Sequence, residues 1–296
     1  MAFDFNMTRL LLHEWRSSGI EFGDTACLGR QGLHVSSTRL QRNLDEVGLK
    51  HISSEAILKE GNGYWEPLIR CLGGKATDSI DISDYEGASV LLDLNSPISD
   101  SYKNKYDTVI DSGTLEHVFN FPVAIKNCME LVKLNGRMIM ITPSNNFMGH
   151  GFYQFSPELF FRVFSAENGF KIDNILLFED HYIAKWYSVK DPAEVSQRVE
   201  LVNGVPSYLF IVARKVAEKE IFSIVPNQSD YQQISWQQKS LSPYEIMQKS
   251  REKFSLARLV PYQVKKILSQ ALNIYKVLRV GIFGPRLRRD FFRRIK

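Results

Sequence analysis

Three short apolar runs in the first half of the chain, residues 79–82, 89–94 and 106–110, each end in or beside a carboxylate: Asp81, Asp93 and Asp111. Runs this short have the length of buried strands and are too short for core helices. An earlier run, 24–29, leads into a turn with glycines at 29 and 32. Helical patterns alternate with these runs. Ser36 or Ser37 can cap a helix to about residue 49, with Leu40, Leu44 and Val47 on one face. Residues 122–133 start with a first-turn proline and repeat Ala124, Ile125, Cys128, Leu131 and Val132 at helical spacing. Asn135-Gly136 turns the chain into a strand over 137–142, which Pro143 is expected to stop. Ser156-Pro157-Glu158 opens a helix to about Asn168-Gly169, and strands over 171–178 and 207–213 follow, separated by a helical segment near 192–199. This alternation predicts an α/β fold with a doubly wound, mostly parallel sheet.

In such sheets ligands bind outside the carboxyl ends of the strands, at the switch point, where these acids and glycines lie. Glycines let backbone N–H groups approach a ligand. A carboxylate after the second strand can accept both ribose hydroxyls, and one after the third can accept an adenine amino group. An adenosine-type cofactor fits this arrangement, whereas any single Asp at such a position also serves as a helix cap.

The run from Asp81 to Gly169 resembles the class I S-adenosylmethionine (SAM)-dependent methyltransferases of the methyltransferase-11 type. The resemblance is carried by DISDYEGA (81–88), LLDLN (91–95), YDTVIDSGTLEHVFN (106–120), LVKLNGRMIMITPSN (131–145) and GHGFYQFSPELFFRVFSAENGF (149–170). It implies a Rossmann-like, seven-stranded fold, SAM as cofactor, Asp81 on the ribose, Asp93 and Leu94 around the adenine, and Asp111, Ser112 and Gly113 under the methionine moiety. Gly29 and Gly32 would form the glycine loop. The chain departs from the family pattern there: Cys27-Leu-Gly-Arg-Gln-Gly32 places Arg30 inside the loop, and 52 residues separate Gly29 from Asp81. An insertion at 50–75 accounts for that spacing. An arginine there disfavours a sulfonium but suits the cofactor's carboxylate.

Methyl transfer from a sulfonium depends mostly on alignment and needs a base only for acceptors such as hydroxyls. The candidate catalytic residues are His117 with Glu116 in Thr114-Leu-Glu-His-Val118, after the fourth strand, and His150 in Met148-Gly-His-Gly-Phe152, after the fifth. The alternatives are a cap or loop buttress for Glu116 and His117, and a surface loop residue or mobile lid for His150. No metal site is expected, because the six histidines show no paired ligand spacing and Glu116-His117 alone is too little. Phe160, Phe161 and Phe164 at helical spacing read as core, and the loop aromatics Phe152 to Phe155 as the better lining for an acceptor site.

Charge is distributed unevenly. Residues 251–296 hold 13 Lys or Arg against two acids, or +11, and the remainder carries −7. The domain reading is an N-terminal helical segment at 1–20, a Rossmann-like methyltransferase domain at 21–216, a polar linker at 217–250 and a basic amphipathic extension at 251–296. In the extension Val264, Ile267, Leu268, Ala271, Ile274, Tyr275, Leu278 and Ile282 recur at helical spacing. Such an arm either docks on the body or meets an anionic membrane surface. Nucleic acid is the less favoured partner, because the body shows no RNA-binding motif. Three widely spaced cysteines without CxxC pairing argue against both a disulfide scaffold and a zinc ribbon. The absence of a signal-peptide pattern leads to the expectation of a cytoplasmic protein, peripheral at the inner face of a membrane if the arm binds lipid. The functional expectation is a SAM-dependent methyltransferase, an O-methylating enzyme for a glycan, lipid-linked sugar or small molecule. The alternative is a non-catalytic methyltransferase-like binding or scaffold protein at a membrane-associated assembly.

Overall fold

The computed structural model describes residues 3–196, 199–229, 263–264, 267–268, 270–272, 274–275, 286–287 and 292–295. The elements in chain order are α1 (Phe5–Ser18), β1 (Gly23–Leu28), α2 (Ser37–Glu46), α3 (Ser54–Glu60), α4 (Glu66–Cys71), β2 (Gly74–Asp81), β3 (Val90–Leu91) and β4 (Tyr106–Ser112). They continue with α5 (Phe121–Leu131), β5 (Val132–Asn145), α6 (Pro157–Val163), β6 (Phe170–Glu179), β7 (Trp186–Val189), α7 (Pro192–Val195), β8 (Leu201–Val202), β9 (Ser207–Lys215), β10 (Arg286–Leu287) and β11 (Phe292–Arg294).

Alternation along the central strands explains the layering. Val109 of β4 and Met138 and Met140 of β5 face one core with Ala124, Ile125 and Cys128 of α5 and Phe160 of α6. Their neighbours Ile110, Ile139 and Ile141 face the other core, with Leu10 and Leu11 of α1, Leu40 and Leu44 of α2, and Leu68 and Ile69 of α4. Central strands are therefore apolar on both faces, as a sheet covered by helices on each side requires. The helix ends follow local chemistry. Asp4 caps α1 through a 2.8 Å bond from the Met7 amide, and Gly19, at φ +65°, ends it in the left-handed region.

The main sheet runs β3-β2-β1-β4-β5-β9-β6-β7-β11. From β3 to β5 all neighbours are parallel, and β9 enters antiparallel between β5 and β6. The α/β, doubly wound fold is thus as expected, but the sheet has nine strands rather than seven. The two extra strands, β7 and β11, add antiparallel at the β6 edge. Strand order reverses between β1 and β4, which sets the switch point there.

Several local expectations are corrected. Residues 89–94 contribute only two paired residues, because β3 is an edge strand lying beside the end of β2. Pro143 does not stop β5. It lies past the last β4 pairing, Ser112 with Ile141, and pairs with Tyr208 of β9 where the register shifts, so its missing N–H interrupts no regular ladder. The helix from residue 156 ends at Val163, a 3-10 turn covers Ala166–Asn168, and Gly169 at φ +74° ends it. The segment near 192–199 is a single helical turn. Residues 50–75 form α3 and α4, and Trp65, Leu68, Ile69 and Leu72 are fully buried. The span between Gly29 and Asp81 is thus filled by the helices that carry the chain from β1 to β2. Most of the 217–250 linker and of the 251–296 extension lies outside the described residues.

Candidate functional site

The parallel register aligns the candidate residues at one edge. Leu28 pairs with Ile80 on one side and Asp111 on the other, so Gly29, Asp81 and Ser112 follow at one level beside the switch point. Gly29 takes φ +68°, and its amide donates to the Ile80 carbonyl at 2.7 Å. A Cβ at Gly29 would lie 3.3 Å from Thr114 Oγ1 and 3.8 Å from Asp81 Oδ2. The left-handed backbone there favours glycine, and a side chain would press slightly on Thr114 Oγ1. The Asp81 carboxylate therefore faces the turn, and its only described donor is the Ser83 amide at 3.3 Å, which leaves acceptor capacity.

Two side chains that sequence reasoning did not single out hold the turn. Thr114 Oγ1 and Gln31 Nε2 both donate to the Leu28 carbonyl, each at 2.9 Å. Arg30 turns away to Glu66 of α4 at 2.8 Å, donates to the Glu86 carbonyl and covers the Tyr64 ring at 3.9 Å. Its charge is paired and does not stand free in the turn. Gly32 does not face this edge with Gly29: it bridges to Tyr64, and a Cβ there would meet the His34 ring at 3.0 Å.

Asp93 is exposed and accepts from the backbone and side-chain N–H groups of Asn95, bonds that hold its carboxyl below the ordinary value. Leu94 is buried beside it, with its carbonyl fixed by Asn127 Nδ2 at 3.2 Å. Asn127 also accepts from the Ile98 amide and donates to the Ser96 carbonyl, pinning the loop after β3 to α5. Asp111 and Ser112 are fully buried. Asp111 Oδ1 accepts from the Thr114 amide at 2.9 Å, and Ser112 Oγ points at Met7 Sδ. At this level only backbone is offered to the cleft, and Gly113 takes φ +91°.

The three catalytic candidates come together. A 3-10 turn at Leu115–His117 carries Glu116 and His117, and the loop after β5 returns over it. The Glu116 carbonyl accepts from the amides of Phe152 at 2.7 Å and Tyr153 at 3.2 Å. Gly151 allows this at φ +73°, since a Cβ there would lie 2.7 Å from that carbonyl oxygen. His150 Nε2 thereby lies 3.5 Å and His117 Nε2 4.0 Å from Glu116 Oε1, with the two rings 5.0 Å apart. The Glu116 side chain is completely buried, and neither oxygen has a hydrogen-bond partner among the described residues. Burial first, and the Asp111 charge second, push its carboxyl well above the ordinary range. Burial, followed by the neighbouring His150, lowers the His117 imidazole.

Aromatic roles divide within the loop. Phe155, Phe160 and Phe164 are core, whereas Phe119 and Phe152 form an exposed edge-to-face pair with ring centroids 5.8 Å apart. Met148 is exposed in the same loop as Phe152, just before His150.

No protein-family model matches the chain, and no curated protein matches it. Among solved structures, it is similar to the Burkholderia thailandensis 1,6-didemethyltoxoflavin-N1-methyltransferase with bound 1,6-didemethyltoxoflavin and S-adenosylhomocysteine. That match has 12% identity and a TM-score of 0.39, over 72% of this chain and 78% of that one. It is also similar to a SAM-dependent methyltransferase from Thermotoga maritima, with 13% identity and a TM-score of 0.35, over 72% of this chain and 91% of that one.

Proposed function

We propose that the chain is a SAM-dependent methyltransferase that acts on an oxygen acceptor. The observation that carries this reading is the cradle at the switch point, where the Asp81 carboxylate lies beside the left-handed turn at Gly29. SAM, when bound, supplies an activated methyl group on a sulfonium. Asp81 would hold the ribose, Asp93 and Leu94 would flank the adenine, and the backbone at Gly29 and Gly113 would lie against the methionine part. The residues fit such a ligand: the acceptors are present and the Arg30 charge is taken up by Glu66. The competing non-catalytic scaffold reading rests on the altered glycine loop, Cys27-Leu-Gly-Arg-Gln-Gly32; pairing Arg30 with Glu66 keeps one cation of that loop away from a bound sulfonium.

At the neighbouring strand ends the Glu116, His117 and His150 cluster supplies what a hydroxyl acceptor needs. A neutral imidazole can take a proton near neutral pH. The lowered His117 favours the neutral form. The exposed rings of Phe119 and Phe152 support an acceptor with an apolar or sugar face, such as a glycan, a lipid-linked sugar or a small molecule.

The described helical residues Val264, Ile267, Leu268, Leu272, Ile274 and Tyr275 are all exposed, in a segment of net charge +11. An apolar stripe among cations supports contact with anionic lipid. No described helix is long and apolar enough to cross a membrane.

A methyl-transfer screen with labelled SAM over sugars, lipids and RNA tests the reading. Transfer to a hydroxyl is expected, and His117→Ala should lower turnover by about a hundredfold or more with cofactor affinity nearly unchanged. Equal loss of affinity and rate would assign His117 to loop support, and transfer to RNA alone would overturn the acceptor reading.

A further inference from the structure

Glu116 poses a problem that the protein alone does not solve. Its side chain is fully buried, both oxygens lack hydrogen-bond partners among the described residues, and the equally buried Asp111 also has an unpartnered oxygen. A buried, unpaired carboxylate is costly and is relieved by a proton or by a cation. The groups that face it are imidazoles, and His150 Nε2 is likewise buried without a hydrogen-bond partner. One ligand atom from each of Glu116, His117 and His150 can be chosen so that all three lie within 4.8 Å of one another.

We infer that Glu116, His117 and His150 bind a divalent first-row transition ion of the zinc type. Zinc holds N and O donors at about 2.0–2.1 Å in tetrahedral geometry, which puts two ligand atoms roughly 3.3–3.4 Å apart. The Glu116 to His150 separation of 3.5 Å is within about 0.2 Å of this, though the pair is not aligned as a hydrogen bond. His117, at 4.0 Å and with about half of its side chain exposed, has room to close the third bond. Two imidazoles and one carboxylate suit zinc and its neighbours better than magnesium or calcium, which prefer all-oxygen shells. Gly151 serves the site directly, since it brings His150 over the Glu116 turn. Three protein ligands leave a fourth position open to a water or an acceptor oxygen.

What the ion does rests on the methyltransferase reading: an acceptor hydroxyl on the open position would lose its proton more readily, to solvent buffer, and the resulting alkoxide oxygen would take the methyl as its bond to the SAM sulfur breaks, with the imidazoles as ligands rather than bases. Ion binding itself does not rest on that reading. On binding, the cation displaces any proton held by Glu116 or the imidazoles, and these protons pass to buffer.

The test is a titration of the chelator-stripped full chain with Zn2+, repeated with Co2+ for its visible d–d absorption, on wild type, Glu116→Gln and His150→Ala. One ion per chain is expected, with a Co2+ spectrum of low coordination number containing nitrogen donors. Each substitution should weaken binding by at least tenfold while far-UV circular dichroism stays unchanged. A wild type that takes up no stoichiometric zinc overturns the inference, as does zinc bound equally by all three proteins. If the variants fail to fold, the wild-type Co2+ spectrum decides alone, and an octahedral, oxygen-only spectrum refutes the site. A parallel SAM titration separates the two claims. Zinc without SAM supports the metal site while removing the methyltransferase reading, and SAM without zinc overturns the metal site and leaves the imidazoles as bases.

Discussion

At Gly151 a left-handed backbone lets the loop after β5 close on the Glu116 carbonyl. A side chain there would be strained at φ +73° and would press on the Glu116 carbonyl. Gly151→Ala should therefore cost about 1–3 kcal/mol and move His150 off Glu116, read as a lower melting temperature with reduced activity. An unchanged melting temperature and rate would show that the loop tolerates another path. Asp78 offers a pH test away from the cleft. Burial raises its carboxyl, but hydrogen bonds from Tyr106, Ser89 and Lys105 outweigh that and hold it below the ordinary value of 3.8. A depressed carboxyl contributes stability that is fully present above its unfolded value and disappears as pH falls through its folded value. Acid titrations of stability should thus show a smaller loss below pH 3.8 in Asp78→Asn than in wild type. Parallel curves would mean that the network adds nothing. Individual residues were unevenly legible. Asp81, Glu116, His117 and His150 stand out by type and position, but nothing in their spacing brings 116 and 150 together. The sign was Gly149-His-Gly151, two glycines around a histidine, and its meaning depends on a carbonyl 35 residues away.

Among the elements, strands with apolar residues on both faces could be read directly, because continuous apolar runs survive without context. The edges could not. β7 and β11 owe their pairing to neighbours brought from elsewhere, with Phe292 paired opposite Val189 and the Ile295 amide on the Trp186 carbonyl. Phe292 is buried in the core formed around α5 and α6, so this part of the basic extension belongs to the body. Phe292→Ala should cost about 3–5 kcal/mol if the site does not collapse, detected by denaturant unfolding. In contrast, a double Ile267→Ser, Leu268→Ser exchange should leave stability within about 0.5 kcal/mol, since both side chains are exposed. If that pair destabilises as strongly as Phe292→Ala, the helical stripe is packed rather than exposed.

For the molecule as a whole, the extension combines a strand fixed on the sheet with an exposed apolar stripe and a charge of +11. Each Lys or Arg near an anionic membrane contributes about 1 kcal/mol, and the buried apolar side chains add a part that salt does not screen. The full chain should co-sediment with anionic vesicles, weakly with neutral ones, and be partly released by salt; Ile267→Ser, Leu268→Ser should bind less. Equal binding to neutral vesicles, or preference for RNA at equal salt, would contradict this. At the switch point the strand order places the glycine turn beside Asp81. Calorimetric titration of the full chain with SAM tests that site most directly. Saturable one-site binding is expected, weakened in Asp81→Ala by about 1.5–3 kcal/mol, roughly 10- to 150-fold. No binding at millimolar ligand, or equal affinity in Asp81→Ala, would contradict it.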